Sequence, residues 1–113
     1  MTDDLDLSFC PTFQRAVELL GRRWTGAVAR ALLRGPLRFS ELARAIPEIS
    51  DRALSQRLKE LEAEGILVRR VDTGSPVRVE YVLTEKGEAL EEVVRGIEAW
   101  AHHWVEEGDT AAA

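Results

Sequence analysis

The chain has 113 residues, of which 45% are hydrophobic and 31% charged, and this composition is typical of one globular domain rather than of a disordered or fibrous chain. Its longest run without a charge is eight residues, so no transmembrane helix is expected, and a single cysteine excludes an internal disulfide and a Cys-rich zinc site. The net charge of -5 does not exclude DNA binding, because residues 79–113 carry -7 and the rest of the chain is nearly balanced.

The first two predicted elements are amphipathic helices that follow an acidic arm. Residues 1–9 are predicted to be a flexible arm. Pro11 then begins a helix, because the N–H that proline lacks would be unpaired in the first turn, and Gly21 ends it. A second helix is predicted from about Trp24 to Leu33, and Gly35-Pro36 breaks it.

The third and fourth predicted helices follow closely on one another. The third runs from Phe39 to Ile46, with Ser40 near its start, and Pro47 ends it. Ser50 is a good N-cap for the fourth, which spans Asp51 to Glu64 and carries the clearest apolar stripe in the chain. That stripe consists of Leu54, Leu58 and Leu61.

A β-hairpin and a long helix complete the pattern. Residues 66–71 and 77–83 are predicted strands around a turn at 72–76, since the second of them largely alternates with period two. Thr84 then caps one last long helix, and residues 108–113 are predicted to be a disordered tail. The apolar face of that helix comprises Leu90, Val93, Val94, Ile97, Trp100, Ala101 and Trp104.

The order of these elements predicts a mainly α fold with a small β-hairpin, a winged helix-turn-helix. In such a fold the third and fourth helices form the helix-turn-helix, and the fourth lies in the major groove. The hairpin is the wing, whose tip can touch the DNA backbone or the minor groove. The whole domain is expected to span residues 10–107.

One face of the fourth helix favours DNA binding. Four polar side chains that lack negative charge fall roughly opposite the apolar stripe, and they are Arg52, Ser55, Gln56 and Lys59. The alternative is that this is only the solvated face of an amphipathic helix, but the hairpin that follows favours DNA. Arg57 lies at the edge of the stripe, where it can reach a phosphate or pair with an acid. The wing adds three arginines able to contact phosphates, Arg69, Arg70 and Arg78.

Several motifs resemble the HxlR family of bacterial transcription regulators, which are MarR-like winged-helix proteins. They are Cys10-Pro11, Leu20-Gly21-Arg22-Arg23-Trp24-Thr25, Arg38-Phe39-Ser40-Glu41-Leu42, Ile49-Ser50-Asp51, the segment from Leu54 to Glu62 with Gly65, and the segment from Val79 to Gly87. The resemblance implies a homodimer built by the first and last helices, with the two fourth helices in successive major grooves of double-stranded DNA. The predicted DNA-contacting set is Arg38, Ser50, Arg52, Ser55, Gln56, Arg57, Lys59, Arg69, Arg70 and Arg78.

Cys10 is a candidate sensor of thiol-reactive compounds. A helix N-terminus favours the reactive thiolate form of a cysteine. The alternative is a small hydrophobic residue packed in the dimer interface. Some members of the family pair this early cysteine with a second one across the dimer. Here only a bridge between two copies of Cys10 could form, because the chain has no other cysteine.

A second candidate input is a small aromatic effector. Helix two carries small residues where many family members have bulky ones, so a cavity near the dimer interface is conceivable around Trp24, Gly26, Trp100 and Trp104. The alternative, that Trp100 and Trp104 pack in the interface, is favoured. His102 and His103 point to different helix faces and cannot easily share a metal ion, so neither a metal nor a cofactor is expected.

No nucleophile–base pair, phosphate-binding loop or supported carboxylate pair indicates an enzyme. The preferred function is a sequence-specific regulator that binds a pseudo-palindromic operator and has no membrane partner. The first residues lack the basic and apolar parts of a secretory signal, so the cytoplasm is the expected location. The alternative function is a winged-helix module that binds another protein, which the pI near 5.1 favours slightly.

Overall fold

A computed structural model describes residues 7–106, and it has the predicted winged helix-turn-helix architecture. The six α-helices of this range are α1 Pro11–Leu20, α2 Thr25–Leu32, α3 Phe39–Ala45, α4 Asp51–Ala63, α5 Glu85–Glu88 and α6 Glu91–Trp100. The strands are β1 Leu67–Asp72 and β2 Arg78–Leu83, and a π-helical segment, Ala101–Glu106, follows α6. Most of the predicted arm and the whole predicted tail lie outside the described residues.

Local capping explains where three of the helices begin. Ser50 Oγ accepts a hydrogen bond from the Ala53 N–H at 3.0 Å, which satisfies one unpaired donor at the start of α4. Thr84 Oγ1 does the same for the Gly87 N–H at 3.2 Å in α5. At α1 the acceptor is the Cys10 sulfur, 3.4 Å from the Phe13 nitrogen, and Pro follows it directly. The predicted caps at Ser50 and Thr84 are therefore confirmed.

The connection between α1 and α2 contains an unusual backbone conformation. Trp24 is the N-cap of α2 and has a φ of 76°, in the left-handed region that normally favours glycine. Its indole packs against the hydrophobic core, and the Arg23 guanidinium lies 5.0 Å from the ring centroid. Burial of the large ring offsets a conformational cost of about 1–2 kcal/mol.

The core lies between α2, α3, α4 and the base of the hairpin. The α4 stripe is its centre, since Leu54, Leu58 and Leu61 are each at most 2% exposed. Helix α2 contributes Val28 and Leu32 to the same cluster. Gly26 and Ala27 face outward, whereas Val28 and Ala29 face inward. The small residues of α2 therefore do not open the core.

The wing pairs in register Leu67–Leu83 to Asp72–Arg78, and it is tied to the body by one further pairing. Leu37, between α2 and α3, forms an isolated antiparallel bridge with Tyr81. The two backbone N–H donors of this bridge lie 2.8 and 3.1 Å from their carbonyl acceptors. The sequence pattern did not predict this bridge, because a single paired residue has no period.

The prediction of one unbroken last helix is wrong. The helix is interrupted at residues 89–90, where the Leu90 N–H bonds to the Gly87 carbonyl, three residues back, at 3.0 Å. The short α5 is held on the α4–β1 connection, since Thr84 Oγ1 donates to the Gly65 carbonyl at 2.6 Å. A Cβ on Gly87 would lie 2.1 Å from the Ile66 carbonyl oxygen, so this close contact requires glycine.

Candidate nucleic-acid interface

The structure brings the four predicted side chains of α4 together. Arg52, Ser55, Gln56 and Lys59 line one open depression of about 370 Å³ on the surface of the helix. Three of them are exposed and Ser55 is half-buried. Among the described residues, neither Arg52 nor Lys59 has a carboxylate within ion-pairing distance. The face is therefore positively charged and not neutralised by the protein itself.

Arg57 is committed to contacts within the protein. Its Nη1 lies 2.5 Å from Glu60 Oε1, and its Nε donates to the Arg23 carbonyl at 3.0 Å. Only 19% of the Arg57 side chain is exposed. Two roles were predicted for this arginine, a phosphate contact or pairing with an acid. In the structure Arg57 pairs with the acid Glu60.

Glu60 lies beside the predicted face, and the sequence pattern assigned it no role. Its Oε2 accepts from Arg22 Nη1 at 3.0 Å and from the Gln56 amide nitrogen at 3.4 Å. Hydrogen bonds from Arg57 and then Arg22 lower the pKa of Glu60 below its ordinary value, although desolvation opposes the shift. The i, i+3 and i, i+4 spacing from Arg57 and Gln56 could have indicated the pairing, but the contact with Arg22 depends on the tertiary structure.

The three wing arginines do not share one face of the hairpin. Residues opposite one another in an antiparallel pair point to the same side, and successive residues alternate. Arg70 and Arg78 therefore lie on one face, and Arg69 lies on the face of the buried Leu67–Leu83 pair. Arg70 Nη2 is 2.9 Å from Glu80 Oε1, whereas Arg69 and Arg78 have no ion pair within residues 7–106.

Two further positions flank the predicted contact surface. At the wing tip the Gly74 N–H donates to Asp72 Oδ1 at 3.0 Å, so this backbone donor is already used inside the turn. Arg38 is the N-cap residue of α3, where its N–H donates to Glu41 Oε1 at 2.8 Å. Its guanidinium is about half exposed and lies 3.7 Å from the same carboxylate.

Helices α1 and α6 carry large apolar side chains that the chain itself leaves exposed. No residue of α1 is buried, and Val94 is the only buried residue of α6. The exposed set on these helices and their flanks is Leu7, Phe9, Phe13, Val17, Val93, Ile97, Trp100, Trp104 and Val105. Cys10 is exposed as well and lies between Phe9 and Phe13 in the chain.

The predicted effector residues are not brought together by one chain. Trp24 lines an open cavity of about 690 Å³ with residues of α2, the end of α3 and α6. Gly26, Trp100 and Trp104 do not line this cavity, and each tryptophan of the last pair is 61% exposed. Of the four, Trp24 alone lines this cavity, and a shared pocket stays a prediction about the dimer.

His102 and His103 lie in the π-helical segment, and the His103 ring stacks edge-on against Trp104 with a centroid separation of 4.4 Å. Across residues 7–106 no three histidine, cysteine, aspartate or glutamate side chains are grouped so as to hold a metal ion. None of the helices described is both long and apolar enough to cross a lipid bilayer.

Comparison with known proteins relates this geometry to characterised folds. A family model described as HxlR-like helix-turn-helix matches residues 19–109. The HTH-type transcriptional regulator YodB of Bacillus subtilis (strain 168) is 47% identical over 103 residues, which make up 91% of this chain and 92% of YodB. The solved reduced form of B. subtilis YodB is 45% identical and superposes with a TM-score of 0.80, covering 88% of this chain and 98% of the other.

A second solved structure, quinone-bound YodB from B. subtilis, is 44% identical and covers 84% of this chain and 99% of its own. Its TM-score is 0.73, lower than the 0.80 of the reduced form. Both likenesses extend over the winged helix-turn-helix and nearly the whole of the other chain.

Proposed function

From the premise that the chain belongs to the HxlR-like helix-turn-helix family, we propose that it is a cytoplasmic transcription regulator that binds double-stranded DNA as a homodimer. The observation that carries the proposal is the exposed α4 face of Arg52, Ser55, Gln56 and Lys59. The family prediction made from the sequence is confirmed, and the family's members are regulators rather than enzymes.

The chemistry of the α4 face suits base edges in the major groove. Arginine donates two parallel hydrogen bonds to guanine, and glutamine pairs in the same way with adenine. Arg52 and Gln56 are one turn apart on the helix, so they can contact neighbouring base pairs. Lys59 lies farther along the helix and is suited to a phosphate, because an ammonium group is a point charge without a fixed fork.

The wing supplies a contact that does not depend on sequence. Arg78 is exposed, lies at the start of β2 opposite Asp72, and makes no ion pair within residues 7–106. Such an arginine can neutralise a phosphate and release a bound counterion. Arg70, which is paired with Glu80, contributes less positive charge at the same face.

The exposed apolar face of α1 and α6 supports the homodimer. Exposed patches of this kind mark interaction surfaces in soluble proteins. Trp100 and Trp104 are one turn apart and suited to the centre of an interface, where aromatic residues are enriched. Two copies joined there would present two α4 helices to half-sites about one helical turn, 34–36 Å, apart.

The DNA-binding proposal is tested with an operator selected from random double-stranded DNA by the wild-type protein. We expect Arg52→Ala or Gln56→Ala to relax specificity, with a loss of about 1–3 kcal/mol for the selected site. Arg78→Ala should weaken all sequences alike and reduce the salt slope by about one. If all three variants bind as the wild type does, the assigned DNA face is wrong. Failure to select any DNA would instead favour a protein-binding module.

The signal to which the regulator responds is proposed to act through Cys10. Its exposure at the N-terminus of α1 makes the sulfur accessible, and the neighbouring Phe9 and Phe13 belong to the apolar face assigned to the dimer. Addition of a quinone to the sulfur, or its oxidation, introduces bulk and polarity where the two subunits meet. A small shift of α1 against α6 would then change the spacing of the α4 helices, and both half-sites must be contacted at once.

The sensor proposal is tested by treating wild type and Cys10→Ser with a quinone or diamide and measuring DNA affinity. We expect the wild type to lose affinity and the serine variant to keep it. Serine places a hydroxyl oxygen, which is a good N-cap acceptor, where the Cys10 sulfur accepts from the Phe13 N–H, so α1 should start at the same residue. Equal responses would remove Cys10 as the sensor and leave a ligand in the cavity lined by Trp24 as the input to pursue.

A further inference from the structure

We propose that Glu60 is a positioning residue that orients the Gln56 amide toward an adenine edge and fixes that amide to the connection between α1 and α2. The inference rests on the proposed DNA-binding function. It adds to that function the base that Gln56 contacts. It also assigns to Glu60, which does not itself contact a base, the role of orienting the Gln56 amide.

Both oxygens of the Glu60 carboxylate are occupied by donors from different parts of the chain. Oε1 accepts from Arg57 Nη1, while Oε2 accepts from Arg22 Nη1 at 3.0 Å and from Gln56 Nε2 at 3.4 Å. Arg57 is itself held by the Arg23 carbonyl, 3.0 Å from its Nε. The carboxylate is therefore clamped between α4 and the residues that precede α2, before any DNA is present.

This clamp determines which end of the Gln56 amide faces Glu60. A carboxylate can only accept hydrogen bonds, so the NH₂ group must lie toward it and the amide oxygen must lie away. Without such a partner the two ends of an amide are nearly equivalent in shape, and a glutamine can present either. Glu60 thus removes an orientational choice that would otherwise be made only on binding DNA.

The orientation that remains fits one base in particular. Adenine presents an acceptor, N7, beside a donor, the N6 amino group, in the major groove. The second N–H of Gln56 can donate to N7 while its oxygen accepts from N6, and the first N–H stays on Glu60. One amide group then satisfies the carboxylate and the base together.

The charge of Glu60 is compatible with a place beside the DNA face. Two guanidinium groups surround the carboxylate, and the Glu60 side chain is only 24% exposed. Glu60 is ionised at neutral pH, and the Arg57 and Arg22 hydrogen bonds that lower its pKa further favour this form, in which the carboxylate only accepts. Its negative charge is therefore largely compensated by Arg57 and Arg22 rather than directed at the phosphates.

The experiment measures adenine preference at the base pair where Gln56→Ala changes selectivity in the selected operator. We expect the wild type to prefer adenine there by about tenfold or more. Glu60→Gln should lose most of that preference, because a glutamine both donates and accepts and no longer distinguishes the two amide ends. In the double variant, Glu60→Gln should add nothing to the effect of Gln56→Ala, since both act through one contact.

Glu62→Gln is the matched control, because it removes the same charge from an exposed position on the same helix that makes no ion pair within the described chain. It should keep the adenine preference. Arg22→Gln, which removes one donor from Glu60 at a half-exposed site, should reduce the preference at the same base pair and no other. Urea unfolding of each variant identifies any that fail to fold. If Glu60→Gln is one of them, Arg22→Gln tests the inference in its place.

The inference is overturned by an unchanged adenine preference in Glu60→Gln, by additive effects in the double variant, or by an equal change of affinity for all sequences. Selection of an operator in which the Gln56-dependent base is not adenine would also refute it while leaving the DNA-binding proposal intact. If the wild type selects no DNA, the proposed function itself fails, and this inference fails with it.

Discussion

Helices α4 and α6 are both amphipathic, but only α4 covers its apolar face within the chain. Leu54, Leu58 and Leu61 of α4 are at most 2% exposed. On α6, in contrast, Ile97 is 59% and Trp100 61% exposed. Both helices carry apolar residues at helical spacing, but their surroundings differ. The apolar stripe of α4 packs in the core with α2, α3 and the hairpin, whereas the apolar face of α6 stays exposed in the described chain.

This difference divides the molecule into a part that completes its own core and a part that does not. The winged-helix body holds the α4 face of Arg52, Ser55, Gln56 and Lys59 in place by internal packing of Leu54, Leu58 and Leu61. Helices α1 and α6 leave large apolar residues exposed within the described chain, so in the proposed homodimer their free energy would depend on association. Stability and dimerisation should accordingly respond to different substitutions.

The largest expected effect is a substitution in the body. Leu58→Ala removes a side chain that is 2% exposed and should lower the free energy of unfolding by about 2–5 kcal/mol, since a cavity remains where packing was complete. Urea unfolding at equal protein concentration measures it. Lys59→Ala, at the adjacent exposed position, is the control and should change stability by less than about 0.5 kcal/mol. Similar losses in the two variants would contradict the assignment of the core.

The second expected effect is confined to association. Ile97→Asp places a charge in the exposed apolar face of α6 and should weaken dimerisation by more than about tenfold, because that charge would be buried without a partner. Sedimentation measures the dimer, and circular dichroism should show that the helices are retained. Val77→Asp makes a similar change at an equally exposed residue of the wing and should leave the dimer intact. A fully dimeric Ile97→Asp protein would place the interface elsewhere.

The third expected effect is a dependence of stability on pH that comes from Glu60 in the body. Because the pKa of Glu60 is lowered below 4.5 in the folded state, its contribution is present above about pH 4.5 and is lost as the pH falls through the folded pKa. The stability difference between wild type and Glu60→Gln should be largest near about pH 6 and should shrink in acid. Urea unfolding midpoints of the wild type and Glu60→Gln, measured from about pH 6 down into acid, test this, and Glu62→Gln is the reference. A difference that grows in acid would show that the sign is wrong.

The smallest expected effect concerns an ion pair that joins the two regions. Arg30 Nε on α2 lies 2.6 Å from Glu98 Oε2 on α6, but 62% of the arginine side chain is exposed. Arg30→Gln should cost no more than about 1 kcal/mol, and the loss should fall in high salt. Arg34→Gln, which removes an arginine without a carboxylate partner among residues 7–106, is the control. A loss above about 2 kcal/mol would mean that the regions are coupled through this pair.

Much of the fold could be predicted from local patterns along the chain. Ser50 and Thr84 were recognised as caps because a hydroxyl can reach an unpaired N–H only three residues away. The face of Arg52 and Gln56 followed from the helical period once the apolar stripe was known. The interruption at residues 89–90 could not be predicted in this way, since it accompanies an approach of Gly87 to the Ile66 carbonyl, distant in the chain.

Periodicity and capping depend on residues within one or two turns, and they sufficed for the order of the elements and the side chains that share a face, but not for the break in the last helix. The long-range partners of charged side chains required the folded chain. Arg57 pairs with Glu60 at the local spacing i, i+3, whereas Arg22 reaches the same carboxylate from 38 positions away in the chain. A guanidinium can meet any acceptor within its reach, and that choice depends on distances in space that no local pattern contains.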